Sequence, residues 1–428
     1  MHDSADRDPP PRCHPGTREK AIKDIVCWIQ ESNPSSTVLW VNGRAGVGKS
    51  ALLQMIAEMD GIYFGGCFFF RRGTPGCNVK DHLFSTLAYQ LAMNVPGMLE
   101  HVDRAMIQDF SLPKKSIAVQ LKRLIIEPFK LLSPLPAFSI IIIDGLDECE
   151  DFNSQRAILE LIAQVAMDFD VAIRFIVASR PEYQICDMFN KEPLLSKTRR
   201  LVLDEAYDAA ADIERFLQEK FGEIYARNKE IMPNVKSPWP CPHDLAELVS
   251  RASGQFIYAA TVIKFVSSDM DFRTPAQRLE IILKRGPTQA SAFSELDRLY
   301  TQILSLYPNS EVLVDTLGVV LVLGEKPPSP DVITAITGCG EGKLVLRALQ
   351  SVIEIRTGPV FDDVNDDEPN GTNVQWVKLS HRSFHDFLTD KARSGPYFID
   401  QTLFRGRVLY RILELATISI KELKMCKR

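Results

Sequence analysis

The sequence predicts an α/β fold: a parallel sheet with helices on both faces, followed by an all-α helical region and a winged-helix unit. Three observations carry that expectation. Five short runs of aliphatic, β-branched or aromatic residues alternate with helical periodicity in the first half of the chain. The runs are apolar on both faces, which suits parallel strands covered on each side. After residue 205 the pattern turns to helices alone and then to an extended pair.

In order, residues 18–30 (REKAIKDIVCWIQ) place Ile22, Ile25, Val26 and Ile29 at helical spacing. An Asn-Pro-Ser-Ser turn ends that helix, and 37–41 (TVLWV) reads as a buried strand. A Gly-rich turn leads into a helix over 50–59. Strands follow at 67–70, 138–143 and 173–178, separated by helices near 81–93 and 155–169, and a fifth strand is expected at 201–203. Downstream the pattern predicts helices over 206–221, 243–266 and 275–283, the middle one after a Pro-rich loop. A second helical block starts at 293–307 and breaks at Lys326-Pro-Pro-Ser-Pro330. It resumes over 331–338 and 341–355, then gives extended segments at 359–361 and 374–379 around an acidic loop. A last helix is expected over 413–423. The expected organisation is a disordered tail (1–14), a nucleotide-binding domain (15–205), a small helical domain (206–290), a winged helix (291–390) and the start of a further helical segment (391–428). No internal repeat is visible.

Composition limits the function classes. The chain has 428 residues, a net charge of -5 and 45% hydrophobic residues, the usage of a globular protein with a core rather than of one that coats nucleic acid. Nine cysteines are scattered singly, without CxxC spacing, and read as reduced thiols. The polar, Pro-rich start lacks the apolar stretch of a signal peptide, and no run approaches the length of a membrane span. A cytoplasmic location is therefore expected.

The chemistry concentrates in three places. Gly43-Arg44-Ala45-Gly46-Val47-Gly48-Lys49-Ser50 fits GxxxxGK[ST] between a strand and a helix. Its glycines let backbone N–H groups turn toward phosphate oxygens, and the helix that runs on through Ala51 adds its positive end. Lys49 offers a point charge to β- and γ-phosphates, and Ser50 a hydroxyl to Mg²⁺. The alternative is a chance Gly-rich turn, which the strand–helix context argues against. Second, Ile140–Ile143 deliver Asp144 at a strand end, followed by Asp147 and Glu148. Asp144 would orient Mg²⁺, and Asp147 or Glu148 would polarise the attacking water. Third, 175–181 (FIVASRP) ends a strand on Arg180. If that strand lies between the other two, Arg180 emerges near the γ-phosphate; otherwise it is a surface arginine at a strand end. These features predict a P-loop NTPase with a three-layer α/β/α sheet.

Together the motifs resemble the NACHT family of signal-transducing NTPases (STAND class), in the fungal branch whose N-terminal part is similar to that of nephrocystin-3. Cys13–Glu19 resembles the family's opening motif, which implies that Thr17 and Arg18 lie against the nucleotide. Asp144-Gly-Leu-Asp-Glu148 is similar to its Walker B form and Ser179-Arg180-Pro181 to its first sensor. Gly254–Ala260 resembles a helix of its small helical domain, although Phe256 stands where many relatives have a proline that packs on the base. The stretch 379–388 (LSHRSFHDFL) is similar to the closing motif of the winged helix. By that likeness His381 would contact the β-phosphate of bound diphosphate. From the residues alone His381 reads rather as a helix-start histidine, and His385, one turn on, competes with it. Family members often add effector and repeat domains, which these residues do not display, so a short form or an incomplete product is expected.

The resemblance implies a switch that binds ATP or GTP with Mg²⁺, holds ADP or GDP when closed, hydrolyses slowly, and self-associates or binds unidentified protein partners on activation. Nucleic-acid binding is not expected. Two other classes compete: a scaffold with nucleotide as a structural cofactor, and an AAA-like motor using Arg71 or Arg72 as an arginine finger.

Overall fold

The computed structural model describes residues 1–4, 7, 9–32, 35–72, 76–133, 138–168, 171–203, 207, 209–268, 273–284, 294–324, 326–338, 340, 342–349, 351–359 and 373–425. Two compact units, Met1–Ile213 and Glu214–Arg428, make up the chain.

In the first unit β1 (Val38–Asn42), β2 (Phe64–Phe69), β3 (Ser139–Asp144), β4 (Ile173–Ser179) and β5 (Thr198–Val202) form one sheet in the order β2-β3-β4-β1-β5. Every pairing is parallel. Strand alternation sends Leu39, Val41, Ile140, Ile142, Ile176 and Ala178 to one face, against α1 (Glu19–Gln30) and α2 (Lys49–Ala57). Val38, Trp40, Ile141, Ile143, Phe175 and Val177 face the other core, which includes residues of α3 (Leu83–Asn94), α4 (Met98–Gln108) and the helix Phe152–Met167. Each fully buried Val, Leu or Ile contributes roughly 1.5–3 kcal/mol, so two-sided burial explains why these strands are continuously apolar. The α/β class expected from the sequence is the one observed.

Several local expectations are corrected. β2 starts upstream of residue 67, at Phe64. Glycine weakens a strand signal, but here it permits close packing, since a Cβ on Gly65 would lie 2.8 Å from Leu91 Cδ2. β5 lies upstream of its expected position and carries exposed Arg199 and Arg200, which a sheet edge tolerates. α4 and a helical stretch over 117–130, containing the π-helical turn Leu121–Ile126, were not assigned from the sequence. The N-terminal segment, expected to be a tail, has described residues packed on this unit. His2 N–H donates to Cys67 Sγ at 3.1 Å and Arg12 to Glu58 at 3.0 Å.

Among its described residues the second unit is helical apart from one antiparallel pair. The helix expected over 243–266 is two, Pro242–Ala252 and Phe256–Val266. Ser253 (φ 47°) and Gly254 (φ 78°) are left-handed, which stops the first helix before the second begins. Pro275–Leu283 starts as the sequence indicates, with Thr274 and Gln277 forming a capping box and proline at the first turn. After Ser294–Ser305, Ser310–Val322 and Pro330–Thr337, the helix Gly342–Ala348 ends before 355, and Ile353–Pro359 forms β6. Isoleucines at 353 and 355 fit either period; pairing with β7 (Asn373–Leu379) decides for the strand. Phe361 and the acidic loop lie outside the described residues. Arg382–Leu388 and Gln401–Met425 complete the unit. Among the described residues no helix is long and apolar enough to cross a membrane.

Candidate functional site

The loop between β1 and α2 holds the phosphate-binding candidates. Gly46 (φ 78°) and Gly48 (φ 95°) are left-handed, the conformation the motif's glycines supply. Buried Ala45 and Val47 pin the loop to the core, while Arg44 points outward. Lys49 Nζ donates to Gly43 O at 2.6 Å and Arg44 O at 2.9 Å, so the ammonium lies over the loop. Ser50 and Ala51 stand in the first turn of α2. A Cβ at Gly48 would meet no heavy atom within 4 Å, which leaves backbone strain as the cost of substitution. Gly48→Ala is therefore expected to lose about 1–2 kcal/mol in urea unfolding. A variant as stable as the parent would contradict the left-handed geometry.

Asp144 ends β3 on the face that carries α2, and Ser50 hydrogen-bonds its carboxylate. Only 3% of Asp144 is exposed, and Oδ1 accepts no hydrogen bond. Burial pushes its pKa up, against the opposing pull of Ser50, Arg7 and Lys49. A hard cation fits this pair, with an alcohol oxygen, a buried carboxylate and one oxygen lacking a partner. Ser50 and Asp144 would hold Mg²⁺, which would complete its shell from phosphate and water. Among the described residues no cluster of three His, Cys, Asp or Glu side chains is placed for another metal.

β4 lies between β1 and β3, the order that the reading of Arg180 required. Ser179 accepts a hydrogen bond from Trp40 Nε1 at 2.9 Å and so ties β4 to β1. Arg180 follows at the strand end; its backbone N–H donates to Asp147 Oδ1 at 3.0 Å and its Nε pairs with Oδ2 at 3.2 Å. Asp147 is buried, whereas Glu148 is partly exposed and accepts from Arg72 N–H at 3.1 Å. Both acids thus stand beside the Asp144 strand end, and Asp147 binds Arg180.

Arg18 is brought to the same loop, and Thr17 precedes it in the chain. Thr17 is buried and bonded to His14 O, and Arg18 donates to Val47 O at 2.7 Å. Arg18 has φ 60° and its N–H is held by Asp212 at 2.9 Å. His381 belongs to the second unit. It caps the helix Arg382–Leu388, its Nδ1 accepting from Ser383 N–H at 3.0 Å, and Ser383 also meets Tyr300 OH at 2.8 Å. His385 lies within that helix, with its Nε2 3.2 Å from the Gln401 amide. Phe256 starts its helix 6.4 Å from the Phe216 ring.

Sequence reasoning missed Arg7 and Gln54. Gln54 is fully buried, one helical turn after Ser50, and accepts from Arg7 Nη2 at 3.0 Å. Arg7 also stacks on Phe69, 3.7 Å from the ring centroid. Burial lowers the pKa of its guanidinium, and Asp144 is the strongest opposing charge. A polar residue among Leu52, Leu53 and Ile56 was the one available signal.

Strand, loop and helix give the first unit a P-loop NTPase-like fold. Residues 16–180 match the family described as Nephrocystin 3, N-terminal, which is less than half of the chain. No curated protein matches in a sequence search. Solved structures that align include Aeropyrum pernix ORC1 in complex with DNA, at 14% identity over 91% of each chain with a TM-score of 0.34. Drosophila ORC bound to DNA aligns at 13% identity over 87% of this chain and 94% of that one, with a TM-score of 0.38. The ADP form of Aeropyrum pernix ORC2 aligns at 13% identity over 95% and 96%, with a TM-score of 0.37. At such scores the likeness is too loose to define function.

Proposed function

We propose that the chain is a nucleotide-dependent switch of the NACHT (STAND) type, binding ATP or GTP with Mg²⁺ and controlling self-association or partner binding. The observation that carries this reading is the placement of the Gly43–Ser50 loop beside a buried Asp144 with an unpartnered oxygen. Backbone N–H groups of the loop and Lys49 hold the phosphates, Ser50 and Asp144 the metal, and Thr17 and Arg18 close the loop from its outer side. Slow hydrolysis is supported by the Asp147–Arg180 pair, since a carboxylate holding a guanidinium is a poor base for water. Glu148 is then the residue that orients the attacking water, and Arg180 responds to the γ-phosphate. The remainder of the chain is read as the small helical domain and winged helix of such a switch, with His381 as its nucleotide-responsive histidine. A cytoplasmic setting goes with this reading.

The test is the nucleotide content and assembly state of the purified protein. ADP or GDP near one per chain, with a larger assembly after exchange for a non-hydrolysable triphosphate, is expected. His381→Ala should release the diphosphate faster. An unchanged assembly with nucleotide bound would favour the scaffold. Rapid turnover, above about 1 s⁻¹, would favour the motor and point to Arg71 or Arg72.

A further inference from the structure

The N-terminal segment reaches the metal side of the loop by an arrangement that nucleotide binding alone does not require. It is fastened at three described residues. His2 N–H donates to Cys67 Sγ at 3.1 Å, and the His2 ring meets Phe64 edge-on at 5.1 Å. Arg12 pairs with Glu58 at 3.0 Å near the end of α2. Between them Arg7 bonds Gln54 and covers Phe69. Gln54 serves two points of the segment, since its amide also donates to His2 O at 2.9 Å.

Both supports of Arg7 are immediate neighbours of the metal-binding candidates. Phe69 is the register partner of Asp144 across the β2–β3 ladder. Gln54 follows Ser50 by one turn on the same face of α2, and Ser50 bonds Asp144. The guanidinium is therefore a fixed positive charge beside a buried carboxylate, in surroundings where charge is weakly screened. A second cation brought to Asp144 turns that net attraction into repulsion.

We propose that the described residues of the N-terminal segment, 1–4, 7 and 9–12, act as a metal-sensitive strap, in which Arg7 supplies the counter-charge for Asp144 and is loosened when Mg²⁺ binds with nucleotide. The proposal rests on the P-loop reading above and adds a regulated segment to it. Coupling between two ligands of one site is reciprocal: whatever factor Mg²⁺ takes from strap docking, Arg7 takes from Mg²⁺ affinity. Charge, rather than packing, sets the factor.

Two measurements on the full chain, stripped of nucleotide and supplied with ADP, test it. Trypsin cleavage after Arg7 or Arg12, read by intact mass as loss of the N-terminal peptide, is expected to be about fivefold faster with Mg²⁺ than with EDTA. The Mg²⁺ concentration for half-maximal enhancement of ADP binding should fall about fivefold in Arg7→Gln and Arg7→Met. Arg7→Lys, which keeps the charge, should stay close to the parent. Equal cleavage rates with and without Mg²⁺ in the parent would overturn the strap without any variant having to fold. So would an Arg7→Met variant that matches the parent, which would make the contact one of packing. Absence of ADP binding under every condition would remove the P-loop reading and the strap together, whereas ADP binding with unaltered Mg²⁺ dependence removes the strap alone.

Discussion

Lys49→Ala is expected to raise the dissociation constant for Mg-nucleotide about 100-fold while leaving the fold almost intact. The side chain offers a charge to two phosphates, and a hydrogen bond to a charged group is worth about 1.5–3 kcal/mol. Losing one to two such contacts corresponds to that factor, at about 1.4 kcal/mol for each tenfold. Within the protein the ammonium donates to the Gly43 and Arg44 carbonyls, and Arg44 is exposed, so water replaces much of what is lost. The expected stability change is within about 1 kcal/mol. Titration calorimetry with ADP and a thermal melt without nucleotide separate the two effects. A collapse in melting temperature with nucleotide absent would assign Lys49 a structural role. Retained affinity would place the phosphates elsewhere.

Much of this site was legible because its signals are local. The glycines at 46 and 48 permit the left-handed backbone the loop adopts, and Ile140–Ile143 deliver Asp144 at a strand end. Strands covered on both faces need apolar residues at consecutive positions, which made β1, β3 and β4 visible. Where packing outweighs local preference, the reading failed. Gly65 belongs to β2 because α3 lies too close for a Cβ. At β6 and at Ser253–Gly254, strand pairing and a two-residue left-handed turn overrode helical periodicity. Arg7 was out of reach for another reason. Nothing in MHDSADRDPPPR distinguishes a docked arginine from a solvated one, and its supports, Gln54 and Phe69, are distant in sequence.

Asp144→Asn is expected to stabilise the protein without Mg²⁺ and to abolish the contribution of the metal to nucleotide binding. The amide keeps the shape and can still accept from the Ser50 hydroxyl, but it carries no charge into a site where burial disfavours the ionised form. The amide nitrogen takes the place of the unpartnered oxygen, so the gain comes from removing the buried charge alone, and about 1 kcal/mol is expected at neutral pH. The pH dependence follows from linkage. A carboxyl whose folded pKa lies above its unfolded value, near ~3.9, binds more protons folded than unfolded between the two. Its contribution is full below the unfolded value and is lost as pH rises through the folded one. The advantage of the asparagine variant should therefore be small in acid, widen as pH rises, and level off once the buried carboxyl has ionised. Urea unfolding in EDTA at several pH values measures it, and a variant less stable than the parent at neutral pH would show that Arg7, Lys49 and Ser50 outweigh desolvation. With ADP, the ratio of affinities in Mg²⁺ and EDTA should fall to near one. The same substitution removes the charge that Arg7 faces, so the effects of Asp144→Asn and Arg7→Gln on cleavage after Arg12, the site both variants keep, should fall short of additive, as two changes to one interaction do.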